Sequence, residues 1–179
     1  FIEDTETLAK RIDAKIYDKP IYHPDSCEST ALDRMAIFQY MIGNTDWYVN
    51  TRHNIDILQL KSTGDLIPIP YDFDFSGVIN TPYATPSKEI PITKVTQRYF
   101  KGSCRDQGTF DQTFQQFIDN QSSIWDLYEQ FELLPGYVAR KSLRYYARFY
   151  KIITDPSQAE SAFLQSCISI PWQLMGRKN

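Results

Sequence analysis

Apolar residues recur along the chain first at helical, then at strand-like, then again at helical spacing. Leu8, Ile12 and Ile16 fall at steps of four behind Asp4 and Thr5, either able to cap, which predicts an amphipathic helix over 4–16. Lys19-Pro20 and His23-Pro24 break it. A second helix starts near Asp25 or Ser26 and follows a stripe of Leu32, Met35, Ala36, Phe38, Gln39 and Ile42 to Gly43, where a glycine suits the helix end. Residues 44–54 are polar and irregular, a loop. Alternating apolar runs at 55–60 and 66–69 flank Thr63-Gly64-Asp65 and predict a β-hairpin. From 78 to 96, Pro82, Pro86 and Pro91 interrupt any periodicity, so this stretch is a long loop of the kind that carries function. Helical spacing returns at 110–120, 122–133 and 136–154, and again from Asp155-Pro156 to about Ile168. Tyr137, Tyr145, Tyr146, Phe149 and Tyr150 are spaced for packing. With no repeat, low-complexity tract or linker, 1–179 reads as one domain of α+β class, mainly α-helical, with a central β-hairpin.

Composition narrows the chemistry. The 179 residues carry 19 basic and 22 acidic side chains, a net charge of −3, so no basic footprint for nucleic acid is present. No apolar run approaches the roughly 20 residues of a membrane span. Aromatic residues reach 15% while glycines number 7, and neither G-x-x-x-x-G-K-[ST] nor G-x-G-x-x-G occurs. Cys27, Cys104 and Cys167 are widely spaced and odd in number. Free or buried thiols are the simpler reading, and a Cys104–Cys167 bridge would suit an extracytoplasmic setting.

The informative unit is a helix, a polar loop holding Asp46, a hairpin, and then Asp72-Phe73-Asp74. A hairpin returns the chain to its starting edge, so Asp46 and Asn54 are expected to face Asp72 and Asp74. Carboxylates brought together repel unless a cation lies between them. Hard oxygen ligands of this kind suit Mg²⁺ or Mn²⁺, which take phosphate oxygens as further ligands. Taken singly, Asp46 is also readable as a turn residue and Asp72-Phe73-Asp74 as the end of a strand. Arg98, Lys101 and Arg105 read either as phosphate contacts or, more simply, as partners of Asp106 and Asp111.

The wording Gly43-Asn44-Thr45-Asp46, then His53-Asn54 before a strand, then Ile69-Pro70-Tyr71-Asp72-Phe73-Asp74, resembles the C-terminal lobe of CotH-type atypical protein kinases, and shares features with HipA-type kinases. The resemblance covers about 29–84 and is unspecific beyond Thr109. It implies a protein-kinase-like C-terminal lobe that transfers the ATP γ-phosphate to a hydroxyl of a protein or small molecule. It casts Asp46 as the catalytic acid that orients or deprotonates the acceptor, Asn54 and Asp72 as metal ligands, and Asp74 as a second carboxylate. Asn44, Arg52 and His53 become supports of the loop, and Mg²⁺ or Mn²⁺ with ATP the cofactors.

Three departures accompany it. The usual kinase spacing from loop Asp to loop Asn lands on Thr51, with Asn50 and Asn54 on either side. Tyr48 stands where kinases place a basic residue, so loop charge would be neutralised by Arg52 or His53. The segment 1–24 is too short for the β-rich N-terminal lobe, and Phe1-Ile2-Glu3-Asp4 reads as the strand leaving it. The chain alone is therefore expected to bind nucleotide poorly and to lack useful phosphate transfer. Two other readings share the same acids: a kinase-like scaffold without activity, and a metal-dependent phosphoesterase or nuclease. Compartment is left open between a bacterial extracytoplasmic site and the cytoplasm.

Overall fold

The computed structural model describes residues 3–165 and 167. It is a mixed α/β fold, mainly helical, around an antiparallel sheet of three strands that lie side by side in chain order. Of the strand expected at Phe1-Ile2-Glu3-Asp4, Phe1 and Ile2 lie outside the described residues, as does the expected helix end at Ile168, while Glu3 and Asp4 form no strand and Asp4 caps the first helix. Among the described residues no helix is long and apolar enough to cross a membrane.

The first expected helix is split. Helix α1 (Thr5–Arg11) is capped by Asp4, whose carboxylate accepts from the Thr7 amide at 3.1 Å. Asp13 then takes a left-handed φ of 51° and turns the chain into β1 (Ala14–Ile16). The four-residue spacing that placed Ile16 on a helix is overridden by pairing: β1 lies antiparallel on β2 (Ile55–Leu60) with Ala14 opposite Leu60 and Ile16 opposite Leu58. Ala9, Ala14 and Leu58 close a small core on this face of the sheet. Leu58 thus serves the α1 side, whereas Ile55 and Ile57 point into the main helical core.

The hairpin forms as expected, with β2 paired to β3 (Leu66–Pro70) from Ile55 opposite Pro70 to Gln59 opposite Leu66. Pro68 and Pro70 cannot donate to a further strand, which suits the edge position of β3.

Helix α2 (Ser29–Ile42) is the axis of the molecule. A single 3₁₀ turn (Pro24–Ser26) precedes it, so it begins later than expected. Glu28 caps it, accepting from the Thr30 and Ala31 amides at 2.9 and 2.7 Å. Apolar side chains from Leu32 to Ile42 are buried on several sides, against the hairpin and against α3 (Gln107–Asp119) and α5 (Gly136–Ile153). Its one buried carboxylate, Asp33, is met by Arg105 at 2.9 Å, and Arg105 also reaches Asp25. Arg105 is therefore paired across the fold rather than with Asp106 or Asp111. Asp106 instead caps α3 (Gln107–Asp119), accepting from the Thr109 amide at 2.9 Å.

Gly43 ends α2 at φ 70°. The last-turn carbonyls of Tyr40, which also takes the Gly43 amide, and Met41 accept from the Arg98 guanidinium at 3.1 and 3.0 Å. The same guanidinium donates to the Tyr145 carbonyl at 2.7 Å and lies 3.8 Å from the Tyr145 ring centroid. Arg98 is thus a structural clamp between α2 and α5.

Helices α4 (Gln121–Gln130), α5 (Gly136–Ile153) and α6 (Pro156–Ala159) complete the helical layer, followed by a π-helical turn (Glu160–Leu164). Phe163 of that turn is fully buried and meets Tyr40, Phe100, Phe110 and Phe114, so the high aromatic content is largely one cluster around α2. Tyr145, Tyr146, Phe149 and Tyr150 are buried as their spacing suggested, but Tyr137, in the first turn of α5, is 68% exposed. Cys104 and Cys167 form a disulfide, and Cys27 is a buried free thiol.

Behind Gly43 the chain passes close to Gly77, whose amide donates to the Gly43 carbonyl at 3.0 Å. A Cβ on Gly77 would press on the Tyr145 hydroxyl and stand 2.5 Å from the Val95 carbonyl oxygen. Gly77→Ala should therefore destabilise the protein by about 1–3 kcal/mol, through overpacking against backbone that cannot yield. A urea unfolding midpoint equal to that of the wild type would show that this junction is not close-packed.

Candidate functional site

The site begins where α2 stops. The left-handed Gly43 sends Asn44 inward, where it is 1% exposed and its Oδ1 accepts from the Asp46 amide at 2.9 Å. Trp47 and Val49 are buried anchors at 2% and 0% exposure, which ties the loop to the core just past Asp46. The chain then reverses over 48–53: Tyr48 and His53 exchange both backbone hydrogen bonds at 3.0 and 2.9 Å. That small reversal returns His53 and Asn54 to Asp46.

Both carboxylate oxygens of Asp46 are engaged. His53 Nε2 lies 2.9 Å from Oδ1, and Asn54 Nδ2 donates to Oδ2 at 3.1 Å and to the Asp46 carbonyl at 2.8 Å. The Asn54 amide nitrogen is thereby used within the loop, which leaves its Oδ1 as the atom suited to a cation. Arg52 does not join this set. Its guanidinium donates to the Lys19 carbonyl and lies 5.9 Å from the Tyr17 ring centroid, so the basic side chain that meets Asp46 is His53.

The hairpin then delivers the second half. The Tyr71 amide donates to the Asn54 carbonyl at 3.0 Å, one step beyond the Ile55–Pro70 pair, so the open end of the hairpin sets Asp72 beside the 53–54 segment. Asn54 and Asp72 both have left-handed backbones, φ 55° and 54°. Non-glycine residues held there in pairs are uncommon, although Asn and Asp tolerate the region best. The Asp72 carboxyl is pushed above its ordinary value, first by desolvation, then by its hydrogen bond with Asp74 and the negative charges of Asp74 and Asp46. The three carboxylates therefore share one field.

The long loop 78–96 arches over this region and is fastened at two points. Tyr83 donates to Asp74 Oδ2 at 3.0 Å, with Thr81 donating to the Asp74 carbonyl at 3.0 Å. Farther on, Tyr48 donates to Glu89 at 3.2 Å, and burial pushes its phenol up to about 12. Between loop and site lies a cavity of about 600 Å³ whose walls include Asp46, Tyr48, His53, Phe75 and Glu89. Phe73, by contrast, turns to a larger and mainly apolar groove beside α2 and β3.

One residue of the site was not legible in sequence. Lys101 is 3% exposed, and its ammonium donates to the carbonyls of Thr45 and Trp47 at 2.7 and 2.8 Å. It is therefore neither a phosphate contact nor a partner of Asp106 or Asp111. Nothing in local spacing links it to Asp46. Among the described residues no group of three or more His, Cys, Asp or Glu side chains is arranged to hold a metal ion. The candidate cation position has two carboxylates, Asp72 and Asp74, and the Asn54 amide.

No family model matches the chain, and no curated protein or solved structure was found to be similar to it.

The raised Asp72 carboxyl makes a prediction with a definite sign. A carboxyl whose folded pKa exceeds its unfolded value costs stability once it ionises, and this cost disappears below the unfolded value near 4. Without divalent cation, Asp72→Asn should stabilise the fold at pH 7 by up to about 1 kcal/mol, given the exposure of the group. The gain should vanish as the pH falls below about 4. Thermal unfolding of both proteins across pH checks it; equal midpoints at pH 7 would mean that the three acids do not repel.

Proposed function

We propose that this domain is the catalytic and metal-binding half of a kinase-like phosphotransferase. The observation that carries the reading is the pairing of an oriented loop acid with a hairpin-borne acid pair, Asp46 on one side and Asp72 with Asp74 on the other. Phosphoryl transfer asks little covalent chemistry of a protein. It needs an acceptor hydroxyl positioned in line and charge on the phosphates neutralised.

On this reading Asp46 receives the acceptor. His53 and Asn54 fix its carboxylate, and the cavity beside it has room for a serine or threonine side chain or a small hydroxylic molecule. Asn54 Oδ1, Asp72 and Asp74 would hold Mg²⁺ or Mn²⁺, and the residues fit such an ion because the Asp72 carboxyl is destabilised by its acidic neighbours. When bound, the ion neutralises charge on the ATP phosphates. Asp46 meanwhile accepts the hydroxyl proton or a hydrogen bond from that hydroxyl. A β-rich lobe carrying a lysine and a phosphate-covering loop would supply the other half of the nucleotide site.

The test is phosphate transfer from Mg²⁺-ATP to serine, threonine and small hydroxylic acceptors by the full-length protein. Asp46→Asn should lower kcat by about 10²–10⁴-fold, the range for loss of a positioned general base. Asp72→Asn should abolish the thermal shift given by Mg²⁺-ATP. The proposal fails if Mg²⁺-ATP gives no shift and neither substitution changes turnover. Metal-dependent hydrolysis of phosphate esters without ATP would favour the phosphoesterase reading instead.

A further inference from the structure

Lys101 reaches the site from a segment far along the chain, between the Arg98 clamp and α3. Its ammonium sits under the loop with four neighbours: the Thr45 carbonyl at 2.7 Å, the Trp47 carbonyl at 2.8 Å, and the rings of Tyr48 and Trp47, whose centroids are 3.6 and 5.3 Å away. The two carbonyls belong to the residues immediately before and after Asp46. The Thr45 carbonyl lies in the peptide plane that enters the Asp46 Cα and the Trp47 carbonyl in the plane between Trp47 and Tyr48, so pinning both restrains the short backbone span that carries the Asp46 side chain. His53 and Asn54 hold the carboxylate from outside, and Lys101 holds the backbone from inside.

We propose that Lys101 is the positioning residue of the Asp46 loop, a cationic latch that closes when its amine is protonated. The latch deepens the reading of Asp46 as the catalytic acid and rests on it for its functional meaning, but not for its geometry.

Two carbonyl oxygens and a ring face are the surroundings of an ammonium. A neutral amine would keep two donors yet turn its lone pair toward the negative face of the ring, and would lose the cation–π attraction. The charged and titratable groups facing Lys101 are Asp46 and the Tyr48 phenol on its own loop and Glu89 on the loop 78–96. Burial lowers the Lys101 pKa to about 7, against the charges of Asp46 and Glu89, which raise it. The phenol stays neutral throughout that range. The latch is therefore closed on the acid side of about pH 7 and opens as the pH rises through it. Global stability should move the other way. Below the ordinary lysine value the unfolded chain binds this proton more readily than the fold does, so the contribution of Lys101 to stability rises with pH from about 7 to about 10.

The experiment is a proton titration followed by NMR on the wild-type chain, with lysine labelled at Cε and the backbone amides at nitrogen. Lys101→Met assigns the lysine signal. A His53→Gln background removes the imidazole that also touches Asp46. The expected result is a lysine titrating about three pH units below the exposed lysines. The amides of Asp46, Trp47 and Tyr48 should shift with the same midpoint. The shared midpoint, wherever it falls, is the criterion. Loop amides that stay fixed while Lys101 loses its proton overturn the latch, and this holds even if Lys101→Met fails to fold. In the phosphotransfer assay Lys101→Met should lower kcat by about a hundredfold with little change in KM for the acceptor, the signature of a misplaced acid. Equal loss through KM alone would make the role purely one of binding. If no phosphate transfer occurs in the wild type, the phosphotransferase reading fails while the titration still decides the latch.

Discussion

The site depends on how α2 ends. A helix buried on most sides cannot leave its last carbonyls bare, and here Arg98 takes those of Tyr40 and Met41 while the left-handed Gly43 turns the chain away. That single termination has three consequences. Asn44 is directed into the interior and holds the Asp46 amide. The Gly43 carbonyl becomes the acceptor for Gly77, which fixes the chain just past Asp72 and Asp74. Arg98 binds α5 to the same point through the Tyr145 carbonyl. The Asp46 loop and the segment after Asp74 are therefore referred to one anchor, and the hairpin only has to close the distance between them.

Electrostatics then decide what the gathered residues can do. Three carboxylates approach one another in a chain that is already acidic, and the protein compensates them unequally. Asp46 is fully partnered by His53 and Asn54. The Asp74 carboxylate accepts from the Tyr83 hydroxyl, while Asp72 is held above its ordinary value first by desolvation, then by its hydrogen bond with Asp74 and the charges of Asp74 and Asp46. An arrangement built for stability alone would have placed Arg52 here, yet Arg52 goes to Lys19. That asymmetry is what the proposed division of roles rests on, with Asp46 orienting and Asp72 with Asp74 left to a cation.

What could be read from sequence follows the range of the forces involved. The α2 helix, its end at Gly43 and the hairpin from 55 to 70 are set by neighbours within a few residues: a stripe, a glycine, a turn between two alternating runs. These were legible, and with them the approach of Asp46 and Asn54 to Asp72. The strand at 14–16 was not, because Leu8, Ile12 and Ile16 satisfy a helical period while the energy that decides the matter comes from pairing with residues 58–60. Arg105 departs from the pairing expected of it for a similar reason. Acidic partners lay close by in sequence, but Asp106 is consumed in capping α3, and the buried Asp33 offers a carboxylate whose desolvation demands a partner.

Lys101 marks the far limit of such reading. A lysine flanked by Phe100 and Gly102 carries no periodicity, motif or charge pattern that would send it inward. Burying an ammonium is costly, and sequence rules rightly place most lysines in water. The cost is met only after folding, when the backbone of the Asp46 loop presents two carbonyls, Tyr48 presents a ring face, and Asp46 and Glu89 supply negative potential. Each of those groups comes from a segment distant from Lys101, so its environment exists only in the assembled fold. The same reasoning explains why the residue matters there: a cation drawn inside against a large desolvation penalty is held by the loop as firmly as it holds the loop, and the geometry of Asp46 becomes tied to the tertiary structure as a whole.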